Sequence, residues 1–286
     1  MAAPLDLALL RSFVAVIECG SVLGAAARVG RSQSAVSMQI QRLEQEVGRP
    51  LFRRDGRALR PNPAGEDLLL HARRLLRLSD DALASLRSPD EAGLVRLGVP
   101  EDYAAYLLPP VLSRFAQDHP LAEIELTCEP SPLLLQRLAA GRLDLALVTR
   151  EPQQPFAMLR RERFSWAAAP GPAVWLRDPL PVALFEAGDI ARRYAVEALQ
   201  AAERRYRVAC SSKSLLGLIA VAQAGLAVVG LVESCIPPGL VPVGEAEGLP
   251  RLPMFDLSLV PAPGTPGRMA ARLQDFLIRE LSQGEA

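Results

Sequence analysis

Between Arg31 and Arg60 the chain collects side chains whose types and spacing point to one chemistry. The run Arg31-Ser32-Gln33-Ser34-Ala35-Val36-Ser37-Met38-Gln39-Ile40-Gln41-Arg42 mixes short hydroxyls and amides with arginine. Ten residues on, Arg53, Arg54 and Arg57 bracket an Asp55-Gly56 turn signal. Hydroxyl and amide groups suit base edges and phosphate oxygens, and guanidinium groups suit phosphates. Met38 falls among them, where an ordinary solvated face carries Glu or Lys. An outward methionine is sensible against a thymine methyl. This is the chemistry of recognition, not of bond-making.

Catalytic sets are hard to assemble from the rest. The two histidines, His71 and His119, belong to no evident Ser/His/Asp arrangement. The chain has no GxSxG, HExxH, GxxxxGK or GxGxxG pattern. Cys19, Cys128, Cys210 and Cys235 show no CxxC spacing and read as small buried hydrophobes. No enzyme activity, metal or cofactor is expected.

The elements that must position the recognition residues can be read from periodicity and capping. Ser21 suits an N-cap, and Val22, Ala25, Ala26 and Val29 then recur at helical spacing. Gly30 stops that helix and Ser32 caps the next. In the second helix Val36, Ile40, Leu43 and Val47 form one apolar stripe. Ser34, Met38, Gln41 and Gln45 point the opposite way, with Ser37 and Arg42 flanking. Two helices joined by a short turn, one packed through alanines, have the form of a helix-turn-helix. Asp55-Gly56 then closes a basic β-hairpin, a wing placed to hold phosphates.

The pattern AAxxxxxSQSAVSxQIxRLExxxGxxLFxRxGRxxRxxxAG resembles the winged helix-turn-helix signature of LysR-type transcriptional regulators, without gaps from about Leu5 to about Arg87. The resemblance implies an α/β chain: an N-terminal winged helix-turn-helix plus a long linker helix, then a bilobal, periplasmic-binding-protein-like type 2 effector domain. It implies operator DNA as partner, a small-molecule effector, a homodimer through the linker helix and a tetramer built from dimers. Gln33 and Gln39 are then candidates for amide pairing with adenine and Met38 for a thymine methyl, while Arg31, Ser32, Ser34, Ser37, Arg53, Arg54 and Arg57 hold phosphates and Arg42 flanks them. Met38, Asn62 and Gly24 depart from the usual family residues at their positions.

Composition is compatible with this. Formal net charge over 286 residues is zero, which by itself argues against nucleic acid. Up to Asn62, however, nine arginines face five carboxylates, and local charge is what a phosphate backbone meets. Half the residues are hydrophobic, ample for real cores. No signal peptide or apolar run of membrane-spanning length is visible, so a cytoplasmic protein is expected.

In chain order, Leu5 to Ile17 gives a supporting helix ahead of the helix-turn-helix. Asn62-Pro63 starts the linker helix, which runs to about Arg87 with Leu68, Leu75, Leu76, Leu83 and Leu86 as its seam. The expected divisions are 1–62 for DNA binding, 63–90 for the linker and 91–286 for regulation. Lobe I takes about 91–162 plus 256–286, and lobe II about 163–255. Beyond the linker, short apolar strands alternate with helices, as in a largely parallel sheet.

Ligands in such sheets gather at strand carboxyl ends near helix N-termini. Those positions nominate Glu101, Asp102, Tyr103, Ser131, Thr149, Ser211, Ser212, Lys213 and Ser214 as effector-binding. Lys213, the sole lysine, favours an anionic effector unless it is a solvated rim residue; Glu101 and Asp102 pull toward a cationic or polar one. Competing readings are a DNA binder without effector, a redox sensor through Cys210 and Cys235, and a solute-binding protein, which would carry a signal peptide instead of a DNA-binding head.

Overall fold

The computed structural model describes residues 5–55, 58–87, 93–171 and 173–282. The chain divides into two compact units, one built on residues up to Gly93 with Ala140–Arg142, the other on Leu94–Ala139 and from Leu143 onward.

In the first unit α1 (Leu7–Cys19), α2 (Val22–Val29) and α3 (Gln33–Val47) are each capped by their own sequence. The side chains of Asp6, Ser21 and Ser32 accept from backbone N–H groups of Ala8, Gly24 and Ala35. Left-handed Gly20, Gly30 and Gly48 end the three helices, a conformation that costs a side-chain-bearing residue energy. Leu9, Leu10, Phe13 and Val16 of α1 pack on Ala25 and Ala26 of α2 and on Val36, Ile40 and Leu43 of α3. Full burial of a Leu or Phe is worth roughly 1.5–3 kcal/mol, so this small core holds the three helices at one angle.

The hairpin follows: β1 (Phe52–Asp55) and β2 (Ala58–Pro61), antiparallel, with Arg53 in register with Arg60 and Arg54 with Leu59. Phe52 packs edge-on to Phe13, and the Leu59 N–H donates to the Gly20 carbonyl at 3.1 Å, tying the wing to the end of α1. Asn62 caps α4 (Pro63–Arg87) through Gly65 N at 3.0 Å. Gly65 is obligatory in a different sense from the caps. A Cβ there would stand 2.2 Å from the Leu51 carbonyl oxygen, so only glycine lets α4 pass the backbone ahead of β1.

The seam expected along α4 does not stay together. Leu68, Leu69, Ala72 and Leu76 turn onto the unit's own core, while Leu75, Leu78 and Leu83 stand in solvent. The side chain of Leu86 lies outside the described residues. The first half of α4 is thus supported by α1 and α3, and Asp80 further along pairs with Arg11 of α1.

The second unit holds one mixed sheet with strand order β4-β3-β5-β11-β6-β9-β7-β8, and β10 beside β6. These strands are β3 (Gly93–Val99), β4 (Ala122–Cys128), β5 (Leu145–Arg150), β6 (Arg160–Ala168), β7 (Leu180–Phe185), β8 (Tyr206–Ser212), β9 (Val228–Val232), β10 (Val241–Val243) and β11 (Met254–Pro261). Pairs β3–β5, β7–β8 and β7–β9 are parallel. Two long antiparallel strands join the lobes. β6 pairs with β11 through Arg160–Arg163 and with β9 from Phe164 onward, and β11 pairs with β5 over Asp256–Pro261. The charged start of β6, Arg160-Arg161-Glu162-Arg163, explains why hydrophobicity alone begins that strand later.

Helices α5 (Leu108–Asp118), α6 (Ser131–Ala139), α7 (Ile190–Ala201), α8 (Leu215–Gln223) and α9 (Arg268–Ser282) cover the faces. Alternation along β7 sends Leu180, Val182 and Leu184 to one core and Ala183 and Phe185 to the other. Between β3 and α5 a π-helical turn runs over Tyr103–Leu107, with the Leu108 N–H donating to the Tyr103 carbonyl five residues back. Periodicity at 3.6 cannot show such a turn, and it carries Tyr103 into the core.

Candidate functional site

The outward face of α3 is built by its caps and stripe. Arg31, Ser32, Gln33, Ser34, Gln41, Arg42 and Gln45 are exposed, and Met38 is 67% exposed at the middle of the face. Ser32 Oγ and Ser34 Oγ lie 3.0 Å apart, and the positive end of the α3 dipole opens beside them. Arg42 pairs with Glu46 one turn on at 3.0 Å. Ser37 is half-buried at the edge. Gln39 is a correction to the sequence reading. Its Oε1 accepts from buried Ser12 of α1 at 2.6 Å, so its amide fixes α3 to α1 and cannot pair bidentately with adenine in this conformation. Arg53 is exposed on β1 and Arg54 lies one residue further along it; Arg57 falls outside the described residues.

In the second unit a cavity of about 370 Å³ opens between the lobes, within the size range of small-molecule sites. Of the residues nominated for it, Glu101, Asp102, Ser131, Thr149, Lys213 and Ser214 line it. Three do not. Tyr103 is buried by the π-helical turn. Ser211 and Ser212 belong to β8, which runs further than expected; Ser211 Oγ accepts from Arg192 at 3.3 Å and Ser212 Oγ from the Ser214 N–H at 3.0 Å. Among the lining residues that sequence reasoning missed are Glu129, Asp189, Phe185 and Phe255. Asp189 was accessible to it as the cap ahead of α7 at the carboxyl end of β7. Phe255 was not, because it enters from a strand 150 residues after the first wall.

Each carboxylate has a distinct setting. Glu101, at the end of β3, reaches the start of α8 and accepts from Leu215 N–H at 2.7 Å. It fills the capping place that Ser214 leaves open, since the Ser214 side chain makes no cap bond. Glu129 is held by Arg137 at 2.6 Å. Asp102 Oδ1 accepts from the Tyr103 N–H at 2.9 Å, and Asp189 Oδ1 from the N–H groups of Ala191 and Arg192 at 2.8 and 3.4 Å. Burial pushes the Asp102 carboxyl up to about 6, with Asp189 and Glu101 adding repulsion against its backbone donors. Burial likewise raises Asp189.

Lys213 points away from this. Its side chain is 84% exposed and its ammonium lies 3.6 Å from Glu186 on the rim. The redox reading also meets a correction. Cys210 packs into the core on one face of the second-lobe sheet and buried Cys235 into the core on the other. Burial further pushes the Cys235 thiol well above its ordinary range, so little thiolate forms there. Among the described residues no group of His, Cys, Asp and Glu is placed to hold a metal, and no helix is long and apolar enough to cross a membrane.

Two family models match the chain. The bacterial regulatory helix-turn-helix protein model of the lysR family covers residues 7–66, and the LysR substrate binding domain model covers residues 88–282. The HTH-type transcriptional regulator DgdR of Burkholderia cepacia is 41% identical over 256 residues, 89% of this chain and 87% of its own length. The HTH-type transcriptional regulator PecT of Dickeya dadantii is 33% identical, across 87% of this chain and 79% of its own. The crystal structure of ArgP from Mycobacterium tuberculosis shares the fold at a TM-score of 0.75, with 23% identity and 98% of both chains covered. With its helix-turn-helix head and its bilobal second unit both matched, the chain belongs to the LysR family of transcriptional regulators, with a DNA-binding domain and an effector-binding domain.

Proposed function

We propose that this regulator reads its operator through the exposed edge of α3, grips the flanking phosphates through α3's N-terminus and the wing, and answers to a small molecule in the lobe cleft. Gln33 pairs with a base, Met38 meets a thymine methyl, and Arg31, Ser32, Ser34, Ser37, Arg53, Arg54 and Arg57 meet phosphates. Arg42 lies at the edge of that surface, and Gln39 positions α3 from behind. The exposed Met38, set among short polar side chains, carries the reading: a large apolar side chain there gains nothing from water and fits a major groove.

The domain divisions follow as 1–62, 63–90 and 91–286, with lobes exchanging at β6 and β11. Leu75, Leu78 and Leu83 on α4 form an apolar face for the same helix of a second copy, giving a homodimer and, from dimers, a tetramer. The protein acts by binding and not by catalysis, in the cytoplasm where its operator is. Effector binding shifts the lobe arrangement only to the extent that the ligand prefers one state over the other.

The test is binding of the full chain to fluorescent DNA from its own upstream region, with random DNA as control, across a salt series. The expected result is tighter binding to the upstream DNA with a steep loss of affinity as salt rises. Absence of DNA binding even at low salt would overturn the reading.

A further inference from the structure

The cleft has an uneven balance of charge. Four carboxylates, from Glu101, Asp102, Glu129 and Asp189, line it against one lysine that is turned out to Glu186. One of the four is answered by a side-chain cation, Glu129 by Arg137. The other three are held by backbone N–H groups: Glu101 by Leu215, Asp102 by Tyr103, and Asp189 by Ala191 and Arg192. Among the described residues no arginine or lysine forms an ion pair with Asp102 or Asp189. Both line the same cavity, from the carboxyl end of β3 and the start of α7.

A helix N-terminus beside a cleft ordinarily invites an anion. Here the N-terminus of α8 is already filled, because Glu101 crosses from the end of β3 to occupy it. The protein supplies its own carboxylate at the place where a ligand's would bind. What the cleft lacks is positive charge near Asp102 and Asp189. Beside them stand Phe185, Ile190 and Phe255, apolar surfaces on which a short carbon chain can lie.

Resting on the reading of this cleft as the effector site, we infer that its ligand is a small organic cation, a protonated aliphatic amine with its ammonium between Asp102 and Asp189 and its carbon body on Phe185 and Phe255. Burying two like-charged carboxylates is unfavourable, and a cation between them turns that cost into attraction. An alcohol of the same shape supplies donors without charge, and a carboxylate adds a third negative group.

The test uses the full chain and three matched series, straight-chain alkylammonium chlorides from ethyl to hexyl, the corresponding alcohols and the corresponding carboxylates, titrated by calorimetry and into the complex with upstream DNA. The alkylammonium ions are expected to bind, with alcohols and carboxylates weaker by roughly tenfold or more. Asp102→Asn and Asp189→Asn are each expected to weaken the ammonium ions by a similar factor. Asn keeps the helix cap at 189, and urea denaturation of the second unit reports that both variants are folded. Carboxylates that bind as tightly as the amines, or ammonium affinity unchanged in both variants, would overturn the inference. If carboxylates bind and alter the DNA complex, the effector cleft stands and only its charge preference falls. If no series binds, both fall.

Discussion

On α3, Gln33, Ser34 and Met38 stand in water and wait for a partner whose charge and shape lie outside the protein. In the cleft, Asp102 and Asp189 are half-buried, with their carboxyls pushed up by burial beside apolar walls. The first surface gains its specificity from a rigid core behind it. The second carries its strain within itself and gains by filling. One region therefore responds to mutation through its scaffold and its contacts, the other through its protonation.

The scaffold gives the largest effect. Gly65→Ala forces a Cβ to 2.2 Å from the Leu51 carbonyl oxygen, a backbone atom that cannot swing aside. We expect a destabilisation of about 3 kcal/mol or more in the first unit, read as a lowered denaturation midpoint, with DNA affinity lost alongside. A midpoint within about 0.5 kcal/mol of the parent would show that the wing and α4 are loosely joined, and with that the rigid-core half of the comparison fails.

Within the face itself, Gln33→Ala and Gln39→Ala separate two glutamines that look alike in sequence. Gln33→Ala should cost about 1–3 kcal/mol on upstream DNA and little on random DNA, with stability unchanged. Gln39→Ala leaves the Ser12 hydroxyl buried without its acceptor, so it should cost about 1–3 kcal/mol of folding stability. Anisotropy on both DNAs and urea denaturation distinguish the outcomes. Equal losses on both DNAs for Gln33→Ala would remove it from the base-reading set.

How much of this was legible beforehand follows from where each signal lives. The caps at Ser21, Ser32 and Asn62, the stripe Val36–Ile40–Leu43 and the hairpin at Asp55-Gly56 are local, so spacing alone places them. Gln39 was misplaced because a helical wheel gives a direction but not a neighbour; Ser12, which claims it, sits 27 residues earlier. The alternation of strands and helices after Gly93 was legible for the same local reason. The cleft was only half legible. The strand-end rule reached Glu101, Asp102 and Ser131, yet it took Tyr103 as loop because a π-helical turn leaves no trace in a 3.6-residue period. Phe185 and Phe255 look like any buried strand residue until the fold sets them side by side with the carboxylates.

Protonation gives the next prediction. In the folded chain Asp102 holds its proton up to about pH 6, against an ordinary value of 3.8. Between those values the folded state binds the extra proton, so on this group stability falls as pH rises from about 4 to about 6 and the deficit is complete above. The groups that face it are the carboxyls of Glu101 and Asp189, together with the thiol of Cys235 and the phenol of Tyr103, both neutral there. Asp102→Asn should therefore raise stability at pH 7 by on the order of 1–2 kcal/mol and flatten the slope between pH 4 and 6. A parallel offset with the slope intact would assign the strain to another group.

Lys213 gives the smallest effect and the sharpest check on the cleft. As the chain's sole lysine at a helix start, it argued in sequence for an anionic ligand. In the fold it is a rim residue, separated from Glu186 by 3.6 Å with both side chains in solvent. Exposed pairs of this kind are worth about 0–1 kcal/mol and are screened by salt. Lys213→Ala should change folding stability by less than about 0.5 kcal/mol, in denaturation curves at low and high salt alike. Its effect on ligand binding has a sign that decides between the two charge readings. Removing a positive charge from the mouth of a cleft that takes a cation should leave alkylammonium affinity equal or slightly improved. A clear loss would mean that this ammonium reaches inward when the cleft is filled, and that the ligand brings a negative group to meet it.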